Sequence, residues 1–390
     1  MTFEALGLAE PILRAVSAEG YTVPTPIQQA AIPTVLTGRD LIGIAQTGTG
    51  KTAAFALPIL HRLAAEDKPR RPNRPRALVI VPTRELAIQV HENFRAYAKF
   101  LTLRGTVVFG GVGQNPQERA LRGGVDVLTA TPGRLLDLYN QGHVRFDDVS
   151  VFVLDEADRM LDYGFLPDVR RIVATLPKER QTLMFSATLP SEIVALTAQN
   201  TRNPARVEAT PPATTVELID QKVIFVPTAD KRRVVTQLVG SKQVTRALVF
   251  IRTKHQANRL AQYLVEAGVP ALAIHGNKSQ SARQNALGRF KTGETPVLVA
   301  TDIAARGIDV DGISHVINFD LPNVAESYVH RIGRTARAGA SGVALSLVDR
   351  SEIGDLRSIE RLIGRRIEVM DEPGQPSRPS HSERAVPGRG

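Results

Sequence analysis

A glycine-rich loop between an apolar run and a helix-like segment constrains the fold of this chain more than any other feature. The apolar run 41–44 precedes it, the helix-like segment 53–63 follows it, and the loop reads Ala45-Gln46-Thr47-Gly48-Thr49-Gly50-Lys51-Thr52. The two glycines let backbone N–H groups close around phosphate oxygens, the lysine would bind the β and γ oxygens, and the last threonine would coordinate Mg²⁺. Alanine replaces the usual first glycine. A plain turn is the alternative, but Gly-Lys-Thr at a helix N-terminus favours a phosphate loop.

An acidic tetrad supplies the partner that a phosphate loop needs. The apolar run 151–154 leads directly into Asp155-Glu156-Ala157-Asp158. At the end of a neighbouring parallel strand, Asp155 would hold Mg²⁺ through its water shell, and Glu156 would orient and deprotonate an attacking water. An isolated tetrad of this kind is usually a solvated helix cap. Downstream of a phosphate loop, it predicts a nucleoside triphosphatase.

Short apolar runs alternate with helix-like segments along the chain. Such runs are typical of buried parallel strands, and the alternation is typical of a doubly wound α/β sheet. The runs lie at 77–81, 125–128, 151–154 and 182–185 in the first half, and at 247–251, 271–274, 297–300, 316–319 and 343–348 in the second. The sequence therefore predicts an α/β protein of two tandem domains, each with a doubly wound parallel sheet.

The joint between the two domains is predicted where the periodicity lapses. The segment 203–216 is rich in proline and threonine, which is typical of a connection without regular structure. We therefore predict a first domain at 1–205, a flexible linker at 206–217 and a second domain at 218–370. The proline-containing tail at 371–390 is expected to be disordered.

Charge and composition narrow the classes of function. Lys and Arg total 49 against 39 Asp and Glu, and the net charge of +10 favours a polyanionic partner such as nucleic acid. The chain has no cysteine, which excludes disulfides, cysteine-bound metals and a thiol nucleophile. No apolar run approaches the ~20 residues that span a bilayer, and the first residues lack a basic signal-peptide region. We therefore expect a cytoplasmic protein with no membrane partner.

A run of regularly spaced arginines stands out in the second half. Arg331, Arg334 and Arg337 recur every three residues within the segment 330–339. On a helix they would share roughly one face, and the simplest interpretation is a solvated basic stripe. The alternative is that one or two of them act as arginine fingers, which stabilise charge on a γ-phosphoryl group bound by the first domain. Hydrolysis would then depend on domain closure.

Together these motifs resemble those of the DEAD-box ATP-dependent RNA helicases, a family named after the tetrad 155–158. The resemblance covers about residues 3–348, and the runs 38–46 and 275–280 are similar to the bacterial RhlE-like branch. It implies two RecA-like domains, ATP and Mg²⁺ as cofactors, and RNA as the partner. It also implies that ATP hydrolysis on RNA drives local separation of short duplexes or remodelling of RNA–protein complexes. Ribosome-assembly and RNA-decay proteins are candidate partners.

The resemblance also implies the residues of the nucleotide site. Gln28 would read the adenine, because a carboxamide can both accept from and donate to its edge, and Phe3 would stack on it. The nucleotide-binding residues would be Phe3, Gln28, Ala45, Gln46, Thr47, Gly48, Thr49, Gly50, Lys51, Thr52 and, at the ribose, Asp309. The metal ligands would be Thr52 and Asp155, and the catalytic residues Lys51, Asp155, Glu156, Arg334 and Arg337.

Further residues are implied to bind RNA or to couple it to the nucleotide. Thr83 and Thr131 resemble helix N-caps, so two helix N-termini could face backbone phosphates. The RNA-binding residues would be Thr83, Arg84, Gly110, Gly111, Thr131, Arg134, Arg252, Thr253, Gln280, Arg283, Thr301 and Gly307. The coupling residues would be Asp158, Ser186, Thr188 and His330, with Asp158 bridging toward the hydroxyl cluster. Contacts to phosphate and sugar position a strand without reading its sequence, so the core should lack sequence specificity.

One departure and three alternatives stay open at this level. Ala336 stands where the arginine motif usually has glycine, and we expect activity to survive it. The same motifs would serve a nucleotide-gated RNA clamp that opens no duplex, and a DNA helicase or translocase is also built on two such domains. A small-molecule kinase would leave the second domain without a purpose.

Overall fold

The computed structural model describes residues 1–45, 48–66, 68–208, 219–305, 310, 312–336 and 342–373. Contacts between residues divide the chain into two units, Met1–Ala213 and Thr214–Gly390. Each unit contains one seven-stranded sheet in which every pair of neighbouring strands is parallel. The predicted α/β class with two doubly wound sheets is confirmed.

The first unit holds strands β1 to β7 in the sheet order β3-β4-β2-β5-β6-β1-β7. The strands are β1 Leu41–Ile44, β2 Ala77–Ile80, β3 Gly105–Val108, β4 Val127–Ala130, β5 Val151–Leu154, β6 Gln181–Ser186 and β7 Ala205–Glu208. The helices are α1 Glu10–Ala18, α2 Pro26–Leu36, α3 Lys51–Ala65, α4 Arg84–Tyr97, α5 Asn115–Arg122, α6 Pro132–Asn140, α7 Ala157–Asp162, α8 Leu166–Val173 and α9 Ser191–Asn200.

Side chains on alternate strand residues enter two separate cores in this unit. In β2, Ala77 and Val79 belong to the core on one face of the sheet, and Leu78 and Ile80 belong to the core on the other. All four are fully buried. A strand covered on both faces needs apolar residues throughout, which is why these strands are continuous apolar runs in the sequence.

The second unit repeats this arrangement with strands β8 to β14 in the order β10-β11-β9-β12-β13-β8-β14. The strands are β8 Ile219–Phe225, β9 Ala247–Phe250, β10 Ala271–Ile274, β11 Val297–Ala300, β12 His315–Asn318, β13 Gly342–Val348 and β14 Glu368–Val369. The helices are α10 Lys231–Val239, α11 Lys254–Glu266, α12 Gln280–Lys291, α13 Asp302–Ala305, α14 Ala325–Ile332 and α15 Ile353–Ile363. Short 3₁₀ turns lie at Glu4–Leu6 and Arg350–Glu352.

The predicted domain boundaries need correction at two places. Residues 206–208, assigned to the linker, form most of β7, which pairs with β1. This edge strand alternates half-buried with exposed positions and carries Arg206 and Glu208, so it has no apolar run to mark it. In the predicted tail, Glu372 accepts a 2.6 Å hydrogen bond from Arg233 Nη2. Residues 209–218 and 374–390 lie outside the described residues.

No helix in the described part of the chain has both the length and the apolar character that a membrane span requires.

Candidate active site

The phosphate loop joins β1 to α3, as the sequence predicts. The Ala45 amide donates to the Ser186 carbonyl at 3.0 Å, which extends the β1–β6 pairing, and α3 begins at Lys51. Lys51 Nζ donates to the Ala45 carbonyl at 2.9 Å and lies 4.0 Å from Asp155 Oδ1. The lysine is buried, so its ammonium is held at the mouth of the loop by the loop's own backbone. Gln46 and Thr47 lie outside the described residues.

Gly50 is the position at which the loop tolerates no side chain. Its φ is +91°, in the left-handed region, and a Cβ there would overlap Gln28 Nε2. Gln28 donates from Nε2 to the Gly50 carbonyl at 3.2 Å and accepts from the Thr25 amide at 2.9 Å. The carboxamide therefore ties the start of α2 to the loop. Its predicted contact with adenine stays a prediction, for which one amide hydrogen and one carbonyl lone pair remain.

Phe3, predicted to stack on adenine, is enclosed in the first unit. Only 3% of its surface is exposed, and its ring lies 6.5 Å from the ring of Tyr21 at an interplanar angle of 26°. Tyr21 itself is 39% exposed and its hydroxyl lies 3.1 Å from that of Tyr97. Tyr21, which lies in the stretch 20–28 that the resemblance assigns to adenine recognition, is thus the accessible ring of this pair.

Asp155 follows β5 at the carboxyl end of the first sheet. Its carboxylate is buried and accepts the Glu156 amide at 2.9 Å. Burial raises the pKa of Asp155 to about 6, although the nearby Lys51 ammonium opposes the shift. A desolvated carboxylate beside a lysine at the end of a strand is an environment that a hard cation such as Mg²⁺ would relieve.

Glu156 is held by its backbone and by one arginine. Its φ of +54° and ψ of +50° lie in the left-handed region, which non-glycine residues rarely adopt. Arg159 Nη1 donates to Glu156 Oε2 at 2.6 Å, and both side chains are buried. The sequence reading missed Arg159, although its spacing of three residues on a helix is that of a side-chain pair. This contact fixes the orientation of the Glu156 carboxylate.

Asp158 bridges to the hydroxyl cluster, as predicted. Its amide donates to Ser186 Oγ at 3.1 Å, and its Oδ2 accepts from both the amide and the hydroxyl of Thr188 at 3.0 Å. The segment after β5 and the segment after β6 are therefore connected directly. The coupling role of these residues stays a prediction.

In the first unit, the predicted RNA-binding residues converge on the loop after β3. Arg84, at the start of α4, lies against Gly111, where a Cβ would overlap its guanidinium and where φ is +79°. Arg134 Nη2 donates to the Val112 carbonyl at 3.2 Å. Thr83 caps α4 by accepting from the Leu86 amide at 3.3 Å, and Thr131 occupies the N-cap of α6 without a side-chain bond. Gly110 lies beside the same guanidinium, since a Cβ added at this glycine would be 3.7 Å from Arg84 Nη2.

In the second unit, the corresponding residues also lie at carboxyl ends of strands. Thr253 caps α11 by accepting from the Gln256 amide at 3.3 Å, and Thr301 caps α13 with its carbonyl, which accepts from Ala304 and Ala305 at 2.9 Å. Arg252 lies 3.6 Å from Glu352 and 3.7 Å from Asp355. Gln280 is buried at the start of α12, with Arg283 one turn later, and Gly307 lies outside the described residues.

The arginine motif divides into different roles. Arg331 is buried, pairs with both oxygens of Asp302 at 2.5 and 2.6 Å, and donates to Asn318 Oδ1 at 3.0 Å. It is therefore a structural residue of the second unit, and the interpretation as a solvated stripe is wrong for it. Arg334 is also buried, and its Nε donates to the His330 carbonyl at 3.3 Å. Arg337 and Asp309 lie outside the described residues.

Ala336 adopts the backbone that the glycine of the common motif would favour. Its φ is +55°, and its methyl group is buried in the core of the second unit. A left-handed alanine costs about 1–2 kcal/mol, which the buried methyl partly offsets. The departure in sequence is therefore accommodated without a change of local conformation.

The fold and the site define a P-loop nucleoside triphosphatase: a lysine at a glycine-rich strand–helix turn faces a buried aspartate–glutamate pair on a parallel sheet. The model of the DEAD/DEAH box helicase family matches residues 25–196, and that of the helicase conserved C-terminal domain matches residues 230–339. The chain belongs to the DEAD-box family of ATP-dependent RNA helicases.

Individual relatives agree with this assignment. The ATP-dependent RNA helicase CshA of Limosilactobacillus reuteri is 42% identical over 389 residues, covering 100% of this chain and 76% of the relative. DEAD-box ATP-dependent RNA helicase 30 of Arabidopsis thaliana is 41% identical over 375 residues, covering 96% of this chain and 62% of the relative. The structure of S. cerevisiae Dbp5 bound to RNA and ADP BeF3 superposes with a TM-score of 0.84 at 33% identity, covering 95% of each chain.

Proposed function

We propose that this protein hydrolyses ATP when it binds RNA and uses the cycle to separate short duplexes or to remodel RNA–protein complexes. The observation that carries the proposal is the cluster formed by Lys51, Asp155 and Glu156, buried together at the carboxyl end of the first sheet. The Lys51 ammonium and the Asp155 carboxylate lie 4.0 Å apart, which suits binding of phosphate by the first and of its metal ion by the second. Mg²⁺, held by Asp155 and Thr52, would supply charge neutralisation at the β and γ oxygens.

The chain's own groups divide the work of hydrolysis. The Lys51 ammonium, fixed by the Ala45 carbonyl, stabilises negative charge on the phosphates. Glu156 orients and deprotonates the attacking water, and the hydrogen bond from Arg159 fixes the direction of its carboxylate. Arg334 and Arg337 are retained as proposed arginine fingers.

RNA recognition is proposed to be by backbone contacts. Arg84 and Arg134 lie beside the Gly110–Val112 loop, and the N-termini of α4 and α6 begin at Thr83 and Thr131. Helix N-termini and guanidinium groups bind phosphate oxygens of any sequence. We therefore propose no sequence preference in the core.

The finer assignments are also proposals. The runs 38–46 and 275–280 support an RhlE-like core, whereas the bacterial relative described above is named CshA. The cytoplasmic location and the ribosome-assembly or RNA-decay partners rest on the sequence interpretation alone. The division into domains at 1–205 and 218–370 is retained, with the first extended to include β7.

Glu156→Gln is the variant that tests the mechanism. It should retain binding of a fluorescent ATP analogue and lose about 10²–10⁴-fold in RNA-stimulated turnover, because the amide cannot accept the proton of water. Asp168→Asn on α8 is the matched control, since Asp168 is half-buried and pairs with the exposed Arg171 at 3.6 Å. Wild-type turnover in the Glu156 variant would contradict the role assigned to it.

Steady-state hydrolysis with single-stranded RNA, with matched DNA and without nucleic acid tests the substrate, at two salt concentrations. We expect stimulation by RNA only. Equal stimulation by DNA would favour a DNA translocase, and RNA-stimulated hydrolysis without release of a short duplex would favour a clamp.

A further inference from the structure

A pocket of about 240 Å³ lies at the amino-terminal end of the first sheet. Its lining includes Gly105 and Val127, the first residues of β3 and β4, together with residues near the end of α4. The phosphate loop, the acidic tetrad and the Gly110–Val112 loop all follow carboxyl ends of these parallel strands. The pocket is therefore at the opposite end of the sheet from the site described above.

The lining combines an apolar floor with a basic rim. Leu60, Phe94, Leu103 and Val127 contribute to the floor, and the rim consists of His91, Arg95, Lys99 and Arg104. Burial and the nearby Arg95 lower the pKa of His91, an effect that exceeds the opposing influence of Glu92. The positive charge of the rim at neutral pH therefore comes from its two arginines and its lysine.

These three cations are not neutralised locally. Within the described part of the chain, no carboxylate lies within 4.0 Å of the charged groups of Arg95, Lys99 or Arg104. The neighbouring Asp126 is occupied, because it accepts from Arg76 Nη2 at 2.7 Å and from the Arg104 backbone amide at 2.8 Å. An apolar pocket with an unpaired basic rim favours a ligand that carries both an apolar group and carboxylates.

The pocket also opens onto a free strand edge. Among the strands that the structure describes, β3 is the outermost of its sheet and pairs with β4 alone. Gly105 keeps this end open, because a Cβ there would lie 3.4 Å from the His91 ring. An unpaired edge can bind a further extended chain through main-chain hydrogen bonds while a pocket takes alternate side chains.

We propose that this surface docks an extended acidic segment of a partner protein, with an aliphatic side chain on the apolar floor and carboxylates on Arg95, Lys99 and Arg104. RNA fits the same surface less well. Contacts to backbone phosphates would use the cations of the rim but would leave the apolar floor of Leu60, Phe94, Leu103 and Val127 uncovered. The surface is separate from the residues that the proposed RNA track uses, so docking would leave RNA-stimulated hydrolysis intact.

The test uses the full chain and a fluorescein-labelled octapeptide of alternating glutamate and leucine, with binding measured by fluorescence anisotropy. We expect saturable binding that weakens as salt is added. The double variant Arg95→Glu, Arg104→Glu should bind about tenfold more weakly, because like charges replace opposite ones. Gly105→Val should weaken binding to a similar extent by filling the pocket, and it leaves the charge unchanged. RNA-stimulated ATP hydrolysis should be unchanged in both variants.

Arg170→Glu is the matched control, since Arg170 is exposed on α8, which packs on the other face of the sheet. Equal binding by the charge-reversed variant would overturn the proposal, as would equal affinity for a glutamine–leucine peptide. Absence of saturable binding up to about 1 mM peptide would do the same. Displacement of the peptide by single-stranded RNA would assign the surface to nucleic acid. If citrate displaced the labelled peptide as effectively as unlabelled peptide does, the surface would be assigned to small anions. Either result contradicts the proposal.

Discussion

The two units of this protein have the same sheet order but treat equivalent lysines in opposite ways. Lys51 begins the helix after the first strand of the first unit, and Lys231 begins the helix after the first strand of the second. Each lies about 4 Å from an aspartate that follows the fifth strand of its unit, at 4.0 Å from Asp155 after β5 and at 3.9 Å from Asp320 after β12. Up to this point the two sites are copies of one another.

The difference lies in the acids around each ammonium. Lys231 Nζ also contacts Glu352 Oε2 at 2.5 Å and Asp349 Oδ2 at 4.0 Å, and it donates to the Phe319 carbonyl at 2.8 Å. The carboxylates around Lys231 more than neutralise its charge, whereas among the described residues a single carboxylate lies within ion-pair distance of Lys51, at the 4.0 Å limit. We infer that this scaffold binds phosphate where the charge of the lysine is not neutralised by neighbouring carboxylates, as at Lys51 but not at Lys231.

The loops before the two helices differ in the same sense. Gly50 precedes α3 with φ of +91°, whereas Asp230 precedes α10 with φ of −92°. Only the first loop has the left-handed backbone that turns successive N–H groups toward an anion. The second carries an acidic side chain at that position, which would repel phosphate.

Removing the lysine of the first unit should have the largest effect. Lys51→Met should lower RNA-stimulated ATP hydrolysis about thousandfold, because the desolvated ammonium stabilises charge that develops on the phosphates. Steady-state turnover measures the loss. The unfolding midpoint in urea should stay close to wild type, and turnover within tenfold of wild type would remove the distinction between the two lysines.

Removing the lysine of the second unit should affect stability instead. Lys231→Met removes the buried ammonium shared by Asp320, Asp349 and Glu352, so the free energy of unfolding should fall by about 3 kcal/mol. Urea unfolding followed by circular dichroism measures it. Lys222→Met is the control, since Lys222 pairs with an exposed Asp220. If Lys231→Met and Lys222→Met had equal free energies of unfolding, the buried cluster around Lys231 would contribute little to stability.

The loop comparison predicts a smaller loss. Gly50→Ala forces a methyl group against Gln28 and strains a left-handed backbone, so nucleotide affinity should fall about 30-fold. Titration with a fluorescent nucleotide measures it. Asp230→Ala, the equivalent change in the second unit, should leave that affinity unchanged. If the two variants bind nucleotide alike, the backbone conformation of the loop is not what separates the units.

The smallest effect concerns Asp349, which belongs to the acidic set around Lys231. A hydrogen bond from the Ser351 hydroxyl is the main cause that lowers the pKa of Asp349 to about 2. A carboxyl group whose pKa is lower in the folded state stabilises the fold above its unfolded pKa of 3.8, and this contribution is lost as the pH falls through about 2.

Asp349→Asn should therefore cost about 1 kcal/mol of unfolding free energy at pH 7, with the difference from wild type closing between pH 4 and pH 2. Urea unfolding across this pH range measures it, and Asp371→Asn is the exposed control. If the variant and the wild type still differed in unfolding free energy at pH 2, the negative charge of Asp349 would not be what stabilises the fold.

The sequence predicts the parts of the fold and site that depend on local pattern. Continuous apolar runs predict β2, β5 and β9, and the loop at 45–52 predicts the start of α3, because each depends on a few adjacent residues. The edge strand β7 escapes prediction, since an edge with one polar face lacks such a run.

Long-range pairing is the part that the pattern could not supply. Arg331 donates a hydrogen bond to Asp302, which lies 29 residues away in the sequence, and Lys231 donates to Glu352, which lies 121 residues away. Nothing local marks either partner. Gln28 is a similar case, because its contact with Gly50 follows only from the packing of α2 against the loop.

The position of β7 has a mechanical consequence. β7 is the last described strand of the first unit and pairs with β1 along its whole length, with Ile44 opposite Glu208. β1 leads directly into Ala45 and the phosphate loop. Tension applied after Glu208 would therefore reach β1 through this four-residue ladder of backbone hydrogen bonds. Because β1 leads into the phosphate loop, the ladder would transmit that force to the loop.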